Sequence, residues 1–146
     1  ASKMEKFGVH PELECFDLGM INYGLYMIKK DMVKGPFYWN LLFGNIFGMQ
    51  PTLSHFSAAI NSIPNNHHIS LAGLGQNQLA VNSLAISQGY GVRVGIEDNI
   101  WWDTEKSVKC TNIGLVKRIH DLLALNQKAF FPPKEFGNLG FYNNKK

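Results

Sequence analysis

Apolar positions along the chain change period four times, from the two-residue repeat of a strand to the helical repeat. Leu13 to Leu18 reads as a strand, and Ile21, Leu25, Ile28 and Met32 then recur on one helical face. Gly35-Pro36 breaks that helix, and Phe37 to Phe43 is an almost continuously apolar second strand. A helix from Thr52 to Ile63 carries Leu53, Phe56 and Ile60 on one side. Ile69 to Leu74 is a third strand, running through Gly73 and Gly75 into a helix with Ala80, Val81, Leu84 and Ala85, stopped by Gly89. Val92 to Ile96 is the fourth strand. After a loop bearing Trp101 and Trp102, a last helix uses Leu115, Val116, Ile119, Leu122 and Leu123, with Thr111 as its N-cap. Ala1 to His10 carries no helix of its own, as if the chain had been cut from something longer.

Regular β-α alternation with buried strands predicts an α/β fold, a parallel sheet covered by helices. A doubly wound sheet and a (β/α)8 TIM barrel fit that pattern equally well. A full barrel takes roughly 250 residues, so four β-α units are half of one. A nucleotide-binding doubly wound domain is disfavoured, because no GxGxxG or GxxxxGK[ST] occurs. The composition, 45% hydrophobic and 17% charged over 146 residues, is that of a globular domain. The net charge of +3 comes from scattered lysines and two arginines, Arg93 and Arg118, so no basic face for nucleic acid is expected. No apolar stretch approaches the roughly 20 residues needed to span a bilayer, so no membrane role is expected. Two distant cysteines, Cys15 and Cys110, with no signal-peptide pattern, predict thiols in a cytoplasmic protein.

The segment Val92-Arg93-Val94-Gly95-Ile96-Glu97-Asp98-Asn99 carries the chemistry. On a strand, Val92, Val94 and Ile96 share one face, and Arg93, Gly95 and Glu97 share the other. Charged residues inside a barrel must be paired or metal-bound. Gly95 would leave room for a ligand, and Glu97, Asp98 and Asn99 fall at the carboxyl end of the strand, where barrel active sites are built. A structural Arg93–Glu97 ion pair is the competing reading.

The stretch Gly89 to Trp101, GYGVRVGIEDNIW, resembles the eighth-strand signature of the β-keto acid cleavage enzymes, which include the 3-keto-5-aminohexanoate cleavage enzymes of lysine fermentation. PELECFDLGM (Pro11 to Met20) resembles the family's fifth strand, GPFYWNLLFGN (Gly35 to Asn45) the sixth, and GLGQNQLAVNSLAISQG (Gly73 to Gly89) the segment after the seventh. The final TNIGLVKRIHDLL and the tail from Pro133 to Gly140 match in pattern as well. The resemblance implies that residues 1–146 are the carboxyl-terminal half, the last four β-α units, of one TIM-barrel domain. It also implies a zinc-dependent acyl exchange between a β-keto acid and acetyl-CoA, giving acetoacetate and a new acyl-CoA. Glu97 matches the family's zinc-ligating glutamate, Asp98 its base, and Arg93 the arginine that orients base and substrate. Glu14, on the same inward set as Glu12 and Phe16, is a candidate pocket residue.

The two histidines that complete the family's zinc site belong to the half this sequence lacks. Adjacent His67 and His68 would point to opposite faces of a strand and lie at the wrong end for Glu97, and His10, His55 and His120 read as surface or capping residues. Trp101 and Trp102 are expected to shape their loop, Tyr38-Trp39 to pack in the strand core, and Gly73-Leu74-Gly75 to make a tight turn. A half-barrel leaves two strand edges unpaired and its inner face, with residues such as Phe16 and Phe37, open to water. The chain is therefore expected to pair with an amino-terminal half, a second copy being the less favoured solution, and a homo-oligomer is expected as well. The alternative function is a truncated, non-catalytic half-barrel serving as a binding or scaffolding module.

Overall fold

The computed structural model describes residues 1–142. Four strands, β1 (Glu12–Cys15), β2 (Tyr38–Phe43), β3 (His68–Gly73) and β4 (Gly91–Arg93), form one parallel sheet in the order β1-β2-β3-β4. A short helix α1 (Ser2–Lys6) precedes them, where no helix is expected from the sequence. The longer helices are α2 (Leu18–Lys29), α3 (Leu53–Asn61), α4 (Gln78–Gln88) and α5 (Asn112–Leu125), followed by a single turn α6 (Pro133–Phe136) and a kinked π-turn over Gly137–Phe141. None of the helices among the described residues is long and apolar enough to cross a membrane.

The helix starts follow from their caps. Asp17 Oδ1 accepts from the Met20 backbone N–H at 2.8 Å, so Leu18 opens α2 and the first strand ends at Cys15, earlier than the apolar run suggests. Thr52 and Thr111 cap α3 and α5 in the same way, accepting from His55 N–H and Gly114 N–H. Gly89, with φ of 83°, ends α4 in the left-handed conformation. Four positions of the helical stripes fall outside the core: Met32 lies beyond the end of α2, Leu53 is solvent-exposed at the first position of α3, and Ala80 on α4 and Val116 on α5 face solvent.

Alternation along the strands divides the sheet into two faces. Cys15, Trp39, Leu41, Phe43 and Leu71 face the helices and pack with Ile21, Phe56, Ala59, Val81 and Ala85. Phe37 joins this core rather than the open face, and Phe16 is half-buried. The opposite face is largely polar: Glu12 and Glu14 from β1, Tyr38 and Asn40 from β2, His68 and Ser70 from β3, and Arg93 from β4, with Leu42 and Ala72 as its buried apolar members. Cys15 and Cys110 are both free thiols, and burial pushes the Cys15 thiol up to about 11.

Trp39 is fully buried and locks α2 to the sheet. A Cβ added at Gly24 would lie 2.7 Å from the Trp39 ring, and the ring is held by an Nε1–H bond to His67 Nδ1 at 3.0 Å. Gly24→Ala should gain about 1 kcal/mol of helix propensity, but overpacking against an immobile ring costs about 1–3 kcal/mol. The expected net is a loss of about 1 kcal/mol in denaturant unfolding; a stabilised variant would show that the ring is free to shift.

The same hydrogen bond makes stability pH-dependent. His67 Nδ1 accepts a proton-bearing donor, so this ring must stay neutral, and burial, helped by neighbouring His68, pushes its pKa below the ordinary 6.5. A depressed histidine pKa means that the unfolded chain takes up the proton first. The contribution is fully present above about pH 6.5 and is lost as pH falls through the lower folded value. The urea midpoint should therefore drop between pH 7.5 and pH 5. His67→Gln, which keeps an acceptor that does not titrate, should flatten that part of the profile.

Candidate active site

Strand β4 is shorter than its apolar pattern. It stops at Arg93, and residues 95–99 fold into a turn in which Gly95 C=O accepts from both Asp98 N–H and Asn99 N–H at 3.2 Å. Val94 and Ile96 therefore do not continue the alternation, and Glu97 does not lie on a strand face. Gly95 is not needed for space either, since an added Cβ would meet nothing closer than Asn112 Oδ1 at 3.6 Å. Its carbonyl is instead a hub, taking a third hydrogen bond from the buried Gln78 Nε2 at 3.0 Å. Gly75 N–H holds the Asp98 carbonyl at 2.8 Å, so the turns after β3 and β4 brace one another.

This turn delivers two carboxylates to one guanidinium, and β1 brings a third. Arg93 Nε and Nη2 grip Asp98 Oδ2 and Oδ1 at 3.1 and 3.2 Å, a bidentate pair. Nη2 also reaches Glu97 Oε2 at 2.7 Å, and Nη1 reaches Glu14 Oε2 at 3.0 Å. The last contact joins β4 to β1 across two intervening strands. A flat sheet holds such strands roughly 14 Å apart, so the sheet curls towards its polar face. Arg93, Glu97, Asp98 and Glu14 thus meet in one cluster, at the carboxyl ends of the strands.

The two adjacent acids occupy different environments. The Asp98 side chain is only 4% exposed, and that of Glu97 is 80% exposed. Burial pushes the Asp98 carboxyl above its ordinary range, against the pull of Arg93, and the neighbouring Glu97 carboxyl adds to the rise. The contact with Asp98, followed by the Arg93 hydrogen bond, holds Glu97 below its ordinary range. Arg93 loses stabilisation by burial, but its hydrogen bonds to Asp98 and Glu97 outweigh that loss and raise its pKa. The pair therefore offers one carboxylate that is ionised in water and one that retains a proton more readily.

Among the described residues, no three His, Cys, Asp or Glu side chains come together as a metal site. His67 and His68 lie at the start of β3, the opposite end of the sheet, where Trp39 and Phe141 engage them. His55 Nδ1 accepts from Gln50 N–H, a loop-shaping role, and the rings of His120 and Phe130 pack together. The Arg118 guanidinium lies over the Trp102 ring at 3.4 Å, and Asn99 brackets Trp101 by accepting from its N–H and donating to its C=O. Both tryptophans accordingly shape the loop that follows the acids. The supporting residues Gln78, Asn40 and Ser70 were not singled out by pattern; their only signal is a polar side chain at a position that burial reserves for apolar ones.

Comparison with known proteins agrees with this frame. A family model described as beta-keto acid cleavage enzyme matches residues 1–138. A 3-dehydrocarnitine:acetyl-CoA trimethylamine transferase of Rhizobium meliloti (strain 1021) is 32% identical over 135 residues, covering 92% of this chain and 44% of that protein. A 3-keto-5-aminohexanoate cleavage enzyme of Acetoanaerobium sticklandii is 35% identical over 117 residues, covering 80% of this chain and 42% of that protein. A 3,5-dioxohexanoate:acetyl-CoA acetone transferase of Paraburkholderia graminis is 25% identical over 120 residues. The chain spans less than half the length of these curated relatives. On its match to the family model and to these relatives, the chain belongs to the β-keto acid cleavage enzyme family.

Proposed function

We infer that this chain is the carboxyl-terminal half of a (β/α)8 barrel that exchanges acyl groups between a β-keto acid and acetyl-CoA, with zinc as its metal. The observation that carries the reading is the Arg93 cluster: two sequence-adjacent acids of unequal basicity, held by one arginine at the carboxyl end of a parallel sheet. A second half, supplying four more strands, would pair the free edges of β1 and β4 and complete the barrel.

Each residue suits a distinct task. Glu97 is water-facing and held below its ordinary pKa, with Arg93 engaging it through Oε2; an exposed, ionised carboxylate suits a single zinc ligand. The remaining ligands, two histidines by family resemblance, would come from the other half. Zinc, when bound, supplies a Lewis acid that polarises the keto oxygen. Asp98, buried and with its pKa raised, is suited to take the proton from the carbon between ketone and carboxylate. Arg93 holds the Asp98 carboxylate in one orientation through two hydrogen bonds and, by the family resemblance, orients the substrate as well. Glu14, tied to Arg93 Nη1 from β1, is a candidate pocket residue that helps to fix the guanidinium.

The test is elemental analysis together with turnover, on this chain combined with its amino-terminal half. About one zinc per complete barrel and acetyl-CoA-dependent consumption of a β-keto acid are expected. A complete barrel that binds no zinc and turns over none of these acids would refute the assignment.

A further inference from the structure

The turn that carries Glu97 and Asp98 is fastened by three other segments of this chain. Asn112, the first residue of α5, accepts from Ile96 N–H through Oδ1 at 2.9 Å, and Gly75 N–H holds the Asp98 carbonyl. Gln78, the first residue of α4, donates from Nε2 to the Gly95 carbonyl at 3.0 Å. Both partners of each contact lie within residues 75–112, so a second half-barrel is not needed to make them.

Gln78 is the member that packing does not explain. It is 2% exposed, and α4 buries it together with Val81, Ala85 and Ile86. An apolar side chain would fill this position without the cost of burying an amide. The Gly95 carbonyl does not depend on it for satisfaction either, since Asp98 N–H and Asn99 N–H already donate to that oxygen at 3.2 Å. Those two bonds are long and move with the turn, whereas the bond from Gln78 ties the carbonyl to a helix. The helix start is in turn set against the sheet: a Cβ added at Gly73, the last residue of β3, would lie 2.7 Å from the Gln78 Cα. Through Gln78, the turn is therefore referenced to the end of β3.

We propose that Gln78 is a positioning residue: through the Gly95 carbonyl it fixes the turn from which Asp98 projects, and so holds the Asp98 carboxylate in line with both Nε and Nη2 of Arg93. It acts through Asp98 and touches no reacting atom. The inference rests on the acyl-exchange reading for the role of Asp98 as the base. The grip of Arg93 on Asp98 is bidentate, at 3.1 and 3.2 Å, and both bonds survive only while the carboxylate keeps one orientation. A displacement of about 1 Å would break that alignment, and a misplacement of this size costs on the order of 10²-fold in rate.

The experiment introduces Gln78→Met, which fills the site without a donor, into the complete barrel and into its Asp98→Asn variant. In the parent background kcat should fall by roughly ten- to a hundredfold, with zinc content and KM for acetyl-CoA unchanged. In the Asp98→Asn background the same substitution should cost nothing further, because the group it positions is gone. A residue that only supports the fold would slow both backgrounds by the same factor. The Arg93 Nε–H proton, followed by NMR, gives a second reading that does not need turnover. It is bonded to Asp98 in the parent and should lose its protection from solvent exchange in Gln78→Met. An active parent that loses no kcat, equal losses in both backgrounds, or unchanged protection of the Nε–H overturns the proposal. A complete barrel without acyl exchange, whose Arg93 Nε–H is protected in the parent and exposed in Gln78→Met, would keep the positioning role and refute the enzymatic reading instead.

Discussion

Asp98→Asn in the complete barrel should keep its zinc and lose turnover by about 10²–10⁴-fold, the usual contribution of a positioned base. Glu97→Gln should lose the metal. The contrast follows from geometry, because the two acids are neighbours in sequence and share one arginine, yet differ in exposure from 4% to 80%. Asparagine keeps the Asp98 shape and an acceptor for Arg93 but cannot take up a proton. Glutamine keeps the Glu97 shape but removes the charge that a metal ligand contributes. Metal analysis and initial rates on the same preparations separate the two effects. Normal turnover in either variant, or zinc retained in Glu97→Gln, would break the proposed division of labour.

Arg93→Met should be damaging in a different way, costing stability as well as activity. Methionine fills the space but leaves the buried Asp98 carboxylate without its two hydrogen bonds. Stranding one member of a buried pair costs about 3–5 kcal/mol. Arg93 itself is 29% exposed, so water reaches this site and about 2–3 kcal/mol is the better expectation. Turnover should fall by about 10²-fold or more as the base loses its orientation. Arg93→Lys should recover part of the stability, because a point charge cannot grip Asp98 bidentately and also reach Glu97 and Glu14. The double variant Arg93→Met/Asp98→Asn should regain much of the stability lost in the single one, with no recovery of turnover. Denaturant unfolding and rates measured in parallel provide the check. If Arg93→Met is as stable as the parent, water rather than arginine compensates Asp98.

Strands, helices and their order were legible in the chain because burial imposes a period on each element. The β2 run needed only its apolar content, and the α3 and α5 starts needed only their threonine caps. Arg93, Glu97 and Asp98 were legible too, since charges at the end of an apolar strand have few structural uses. What pattern could not supply was the local path after Arg93. Alternation assumes that a strand continues, and here three donors converge on the Gly95 carbonyl and turn the chain instead. Two of them belong to the turn itself, but Gln78 lies on α4, and no short-range rule links it to position 95. Glu14 became a partner of Arg93 only through the curl of the sheet, 79 residues apart in sequence. Phe37, in alternation with Trp39 and Leu41, packs with the helix-side core rather than on the inner face. Periodicity is a local property and was enough for the elements. Which oxygens surround one guanidinium is set by register and curvature between distant strands, and only the tertiary structure decides it.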